Sequence, residues 1–330
     1  MKDLSIITGI TILLTLVSCT REVPYTPEKA DVLLLMNAQI DAASSDHRVW
    51  LGLSKTNTID KLENASIVCF VNGEEISRGV FDETASKSAI QSCYSFEAKL
   101  HPGDIIRLSA EGAGLSAYAE VTVPDTSGRL VRVDTLSTAS GLRFTSGIRD
   151  DAKENNYYRL RLLVRSYLSY YYEQAWSRWY IHSDEKVIPH SDDPILDGRI
   201  GGSEGDDFFG LGGSSNHYCV FTDRLFAGSG AELTFEMNDA DLYRFTTEQY
   251  FDSIYIIPFA ELSLISMDSY EYEYLSVQNI LYDNDYDSSD FLESVAVPTN
   301  VTGGTGFVGV FYPSSITIRL PEKMYGSSYQ

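Results

Sequence analysis

The residue with the clearest chemistry is Cys19. It closes the run Leu16-Val17-Ser18-Cys19, an aliphatic residue, a small residue and a thiol, directly after the apolar stretch Leu4 to Val17. In an exported bacterial chain that order marks a thiol for acylation, after which Cys19 becomes the first mature residue. Several acyl chains on one cysteine, each worth roughly 0.8 kcal/mol per buried CH₂, anchor a protein without a spanning segment. The apolar run is short for a membrane-crossing helix. The alternative is an ordinary secretory signal with a coincidental cysteine. Residues 1–18 thus read as a lipoprotein signal peptide, and 19–30, with Pro24 and Pro27, as a lipidated tether.

Other residues spell possible chemistry with weaker support. Gly303, Gly306 and Gly309 in "NVTGGTGFVG" have the spacing of a dinucleotide-binding turn. Such a turn must open a helix whose free N–H groups face a pyrophosphate. Here "VFYPSSITIRL" follows, with the alternation of a strand, so no cofactor is expected. "GGSEG" would make Ser203 a hydrolase nucleophile, but a nucleophile elbow needs a preceding strand, a following helix and downstream Asp and His. His217 is the sole histidine after it. Asp283, Asp285, Asp287 and Asp290 alternate as in a calcium loop, yet Ser288 and Ser294 stand where such a loop requires glycine and glutamate. They form a weak calcium candidate, with a solvated acidic turn as the default. His47, His101, His182, His190 and His217 have no ligand spacing, so no zinc site is expected. No catalytic residue is assigned.

Two groups fit contact rather than catalysis. Tyr170, Tyr171, Tyr172, Trp176 and Trp179, flanked by Tyr167 and Tyr180, could present rings to a sugar, peptide or protein. In "YYRLRLLVR" the residues Tyr158, Leu160, Leu162 and Val164 would face a core while Arg159, Arg161 and Arg165 share the other face. That arginine row reads as a solvated strand face, or as a surface for an acidic partner. Cys69 and Cys93 sit in strand-like segments of one region and form a candidate disulfide, which an exported protein permits; two small buried side chains are the alternative.

The elements that must position these residues are mainly strands. From Asp31 to Pro124, short alternating runs with Asn72-Gly73 and Pro102-Gly103 turns fit an immunoglobulin-like β-sandwich over 31–124, with no helix. "PDTSGR" reads as a hinge into a larger, second β-sandwich-like domain over 125–330. One helix is expected there, near 268–282, from Tyr270, Tyr274, Val277 and Leu281 at helical spacing, with Asp268 and Glu271 as its N-terminal pair.

The chain carries 25 Lys and Arg against 47 Asp and Glu, a net charge of −22, which argues against nucleic acid or an anionic lipid surface as partner. Taken together, "VCFVNGEE", "PGDIIRLSAEGAG", "DDAKENNYYRLRLLV", "SDDPIL", "VFTDRLFAG", "SYEYEYLSVQ" and "FLESVAVPTNVTGGTGFVGVFYPSSITI" resemble the Bacteroidetes outer-membrane lipoproteins of domain-of-unknown-function family 4249. The resemblance brings no catalytic residue. It implies an outer-membrane lipoprotein of the kind that accompanies a TonB-dependent transporter of the SusC type with its SusD-like partner; joined to the aromatic run, the expectation is an accessory component at the cell surface that binds a peptide or glycan or docks on the transporter. A structural or adhesive envelope protein, or less readily a hydrolase, remains an alternative. In such proteins the closing glycines form a strand-and-turn signature.

Overall fold

The computed structural model describes residues 31–55, 58–125, 128–151, 156–188, 193–196, 216–244, 252–283 and 297–326. The protein is mainly β, as expected. Its N-terminal part comprises β1 (Leu33–Asp41), β2 (Asp46–Ser54), β3 (Ile59–Lys61), β4 (Ser66–Val71), β5 (Glu74–Arg78), β6 (Val80–Asp82), α1 (Glu83–Lys87), β7 (Ser92–Glu97), β8 (Ile105–Gly112) and β9 (Leu115–Thr122). The remainder comprises β10 (Gly128–Ser137), β11 (Gly141–Asp150), β12 (Tyr157–Tyr172), β13 (Ala175–Trp176), β14 (Tyr180–Lys186), β15 (Val220–Thr222), β16 (Gly230–Asn238), α2 (Asp239–Leu242), β17 (Ser253–Met267), α3 (Ser269–Asp283), β18 (Thr305–Arg319) and β19 (Lys323–Gly326).

One twelve-stranded sheet runs through the molecule in the order β13-β12-β17-β18-β1-β2-β7-β6, with β14 and β15 on β12, β19 on β17 and β3 on β2. Two smaller sheets cover it. The sheet β5-β4-β8-β9 closes the first sandwich and β10-β11-β16 the second. Period-two alternation builds both cores: Ile106, Leu108 and Ala110 of β8 meet Met36, Ile40 and Leu51, while Phe144, Leu233 and Phe235 meet Leu160, Leu162 and Leu264.

Strand β18 belongs to both sandwiches. Its first half pairs in parallel with β1, from Leu35 opposite Thr305 to Asp41 opposite Phe311, and its second half pairs antiparallel with β17. Val301, Val308 and Val310 therefore pack in the first core although they lie far beyond residue 124. The glycines make this seam possible. A Cβ on Gly304 would lie 2.3 Å from the Leu34 carbonyl oxygen, and Gly306, at φ +112°, would place one 2.2 Å from that of Met36. Close backbone approach, not phosphate binding, accounts for the pattern.

One local reading changes and one stands. The first region does contain a helix, α1, whose Asp82 side chain accepts from the Ala85 N–H at 2.9 Å. A helix this short has no apolar period to reveal it, only its cap. The Asn72-Gly73 turn stands as read, with both residues at positive φ between β4 and β5.

Candidate functional site

Pleat parity sorts the aromatic run. Tyr158, Leu160, Leu162 and Val164 point into the second core, so residues at odd positions of β12 point to the outer face of the large sheet. Tyr170 is buried inward with Leu168, Ile254 and Ile256. Tyr172 shares its parity but is exposed, beyond the core. Tyr171 lies outward beneath Trp176 at 5.2 Å, and Trp179 meets Tyr255 of β17 at 6.0 Å. Trp176 and Trp179 are each 49% exposed. Of the five expected surface aromatics, Trp176 and Trp179 are thus presented on one face, Tyr171 backs them, Tyr172 is exposed beyond the core, and Tyr170 is a core residue.

The face continues along the strands. Ile181 stands opposite Tyr167 and Met324 opposite Tyr255, both largely exposed. Tyr167 meets Phe259 edge-on at 5.8 Å, and beside them Leu163, Arg165, Glu261 and Thr317 complete a depression of about 250 Å³. The arginine row therefore lies on the same face as the tryptophans. Its members differ. Arg159 donates to the Tyr218 carbonyl at 3.1 Å and to Glu185. Arg161 is half-buried, with an Nε that meets no acceptor among the described residues. Arg165 is exposed at the rim of the depression.

The aromatic hairpin is held firmly despite an unfavourable turn. Glu173 and Gln174 both adopt positive φ, 49° and 67°, the conformation of a type I′ turn that Asn-Gly takes more readily. Ser177 compensates: its Oγ accepts from the Tyr170 N–H at 2.9 Å and its N–H donates to the Tyr170 carbonyl at 2.7 Å.

A second feature sits where α3 crosses the sheet. Asp268 caps the helix, accepting from the Glu271 N–H at 2.7 Å, as its sequence implied. The buried stripe is not the expected one. Glu271, Leu275, Ser276 and Asn279 are buried, whereas Tyr270 is exposed, so the helix is turned by about one position toward its polar side. Asn279 Oδ1 accepts from the Tyr218 N–H at 2.9 Å, and its Nδ2 donates to Asn216 Oδ1 at 3.0 Å, fixing the approach to β15. Glu271 Oε2 meets no donor among the described residues. Burial first, and the Asp268 charge second, push its carboxyl up to about 8, against a smaller opposing effect of Arg159. Burial also pushes Asp268 up to about 6. The burial of Glu271 and Asn279 escaped sequence reasoning because polar residues in an apolar period look solvent-facing.

The candidate Cys69–Cys93 bridge is not formed; both are buried free thiols, the alternative reading, as is Cys219. Parity again decides. Cys69 points into the first core, whereas on β7 it is Tyr94 and Phe96 that do so. Cys93 lies on the opposite face, where its N–H donates to Ser86 Oγ of α1. Burial pushes Cys69 up to about 11 and Cys219 up to about 12, and raises Cys93. Cys19, Ser203, Asp285, Asp287 and Asp290 lie outside the described residues, as does the side chain of Asp283. No group of three or more His, Cys, Asp or Glu converges on one point among the described residues.

These features define a mainly β protein of two sandwiches joined by one shared sheet, with an aromatic and arginine-bearing outer face. The chain belongs to the family described as domain of unknown function DUF4249, whose model matches residues 20–317. No curated protein matches it. Among solved structures it is similar to a DUF4785 family protein from Legionella pneumophila subsp. pneumophila strain Philadelphia 1, at 11% identity and a TM-score of 0.21, over 70% of this chain and 52% of that one. The chain spans about half the length of that structure, and a likeness this distant carries no argument.

Proposed function

We propose that the protein is an outer-membrane lipoprotein, anchored through Cys19 and displayed at the cell surface. In this reading it is an accessory binding component of a TonB-dependent importer of the SusC and SusD kind. The observation that carries the binding role is the outer face of the large sheet, where Trp176, Trp179, Ile181 and Met324 lie exposed beside the Arg165 depression. Exposed rings on a rigid sheet stack on sugar faces or peptide side chains at little entropic cost, and an accessible guanidinium takes a carboxylate. The ligand class is a peptide or glycan, or the face docks on the transporter itself. Family membership and the thiol motif at Cys19 support the anchor and the company it keeps. No described helix is long and apolar enough to cross a membrane.

The test is purification of the tagged protein from native membranes in mild detergent, with mass identification of its companions. A stoichiometric transporter with its lid supports the importer role, and recovery of the lipoprotein alone favours a structural or adhesive one. Cys19→Ser should move the protein from the membrane to the soluble fraction. The double variant Trp176→Ala/Trp179→Ala, and separately Arg165→Ala, should weaken binding while leaving the far-UV spectrum unchanged. Undiminished binding in both removes this face as the site.

A further inference from the structure

The rows of the outer face leave two opposite charges unmatched in one depression. Residues at odd positions of β12 stand on that face together with the residues opposite them. Arg165 thus shares a row with Phe259, Leu163 with Glu261, and Arg161 with Ser263. Arg165 and Glu261 are therefore diagonal neighbours, and both line the depression of about 250 Å³. Neither side chain makes an ion pair or a hydrogen bond among the described residues.

The charges beside them are engaged. Glu185, opposite Leu163 on β14, takes the Arg159 guanidinium at 2.5 Å, and Arg319, opposite Phe259 on β18, pairs with Glu322. Arg161, the other diagonal neighbour of Glu261, is half-buried and makes no ion pair with it. On β11, by contrast, Arg143 meets Glu236 directly across the strand pair at 2.5 Å. A direct pair closes on itself, whereas the diagonal pair, with Cβ atoms about 7–8 Å apart, here leaves both charged heads open.

The wall between the two charges is apolar. Leu163 lies beside Glu261, and Tyr167 meets Phe259 edge-on at 5.8 Å. A volume of about 250 Å³ is below the roughly 300–1,000 Å³ of sites for drug-sized ligands, so the depression takes one or two residues rather than a long segment. A neutral sugar offers neither charge, and an acidic sugar would leave Glu261 unmatched. A short peptide offers a carboxylate, an ammonium and an apolar side chain together, and two extended residues span about 7 Å, close to the diagonal.

We propose that this depression binds a short zwitterionic peptide of dipeptide size, with the peptide carboxylate on Arg165, its ammonium on Glu261, and an apolar side chain against Leu163, Tyr167 and Phe259. The inference rests on the binding role given above to the outer face, and it selects peptide over glycan.

The test is isothermal titration calorimetry of the mature chain with leucyl-leucine, its N-acetyl form, its C-terminal amide and the neutral disaccharide maltose. The dipeptide should bind and maltose should not. Capping either end should weaken binding by about tenfold, the loss of one charge-assisted hydrogen bond. Arg165→Gln should bind dipeptide and amide alike while still discriminating against the acetyl form, and Glu261→Gln should do the reverse. Both substitutions lie on the sheet surface and should leave Tm unchanged. The proposal is overturned if ~10 mM dipeptide, roughly tenfold above a millimolar dissociation constant, gives no heat. It is equally overturned if both capped forms bind as tightly as the parent, or if the two variants retain both preferences. A chain that ignores the dipeptide yet co-purifies with a transporter overturns this assignment and leaves the importer reading intact. Dipeptide binding by a protein recovered alone supports the assignment and counts against the importer reading.

Discussion

Replacing Glu271 by glutamine removes one ionisable group from the buried face of α3 and leaves its shape nearly unchanged. In the folded protein its carboxyl titrates at about 8, against an ordinary value of 4.5, because burial and Asp268 oppose its charge. Below the ordinary value both folded and unfolded chains hold the proton, so its contribution to stability is complete. Between the two values the unfolded chain has released the proton while the folded chain retains it, so stability falls as pH rises, by roughly 1.4 kcal/mol per unit. Across the whole window the loss is on the order of 5 kcal/mol, and above about 8 it no longer grows. Asp268, raised to about 6, loses stability in the lower part of the same window, but it does so in both proteins. Glutamine cannot ionise, so the stability of Glu271→Gln relative to the wild type should climb steadily from about pH 5 to about pH 8. The assay is urea unfolding of both proteins at several pH values in that range, read as ΔG. A constant difference between them would refute the placement of Glu271 as a buried, neutral acid.

Further outcomes follow from the same geometry. Gly304→Ala puts a Cβ 2.3 Å from a fixed backbone oxygen in the β18–β1 seam and should cost about 3 kcal/mol or more in thermal unfolding; a loss within about 0.5 kcal/mol would contradict the seam. Glu173→Asn with Gln174→Gly suits the I′ turn and should stabilise the protein by roughly 1 kcal/mol without changing ligand binding. Cys69, Cys93 and Cys219 should be inert to thiol reagent in the folded protein and react together in denaturant, since burial keeps all three protonated; two unreactive thiols in denaturant would reveal a disulfide instead.

Much of the architecture could be read from the chain alone. Alternation located β1, β2, β4, β7, β8 and β9, and the Asn72-Gly73 turn and the Asp268 cap were legible because each rests on a local hydrogen bond or dihedral preference. The strand character after Gly309 was legible too, and Thr305–Arg319 is one strand. Long-range placement was not legible. Nothing local says that β18 leaves the second sandwich to pair in parallel with β1, because register is set by the facing strand and not by the strand's own residues. For the same reason Cys69 and Cys93 proved to be on opposite faces, and the aromatic run was divided between core and surface. The carboxyl of Glu271 shows the limit most plainly. A sequence records that it is acidic, whereas its burial, and the chemistry that burial demands, arises only when strands and helix close over it.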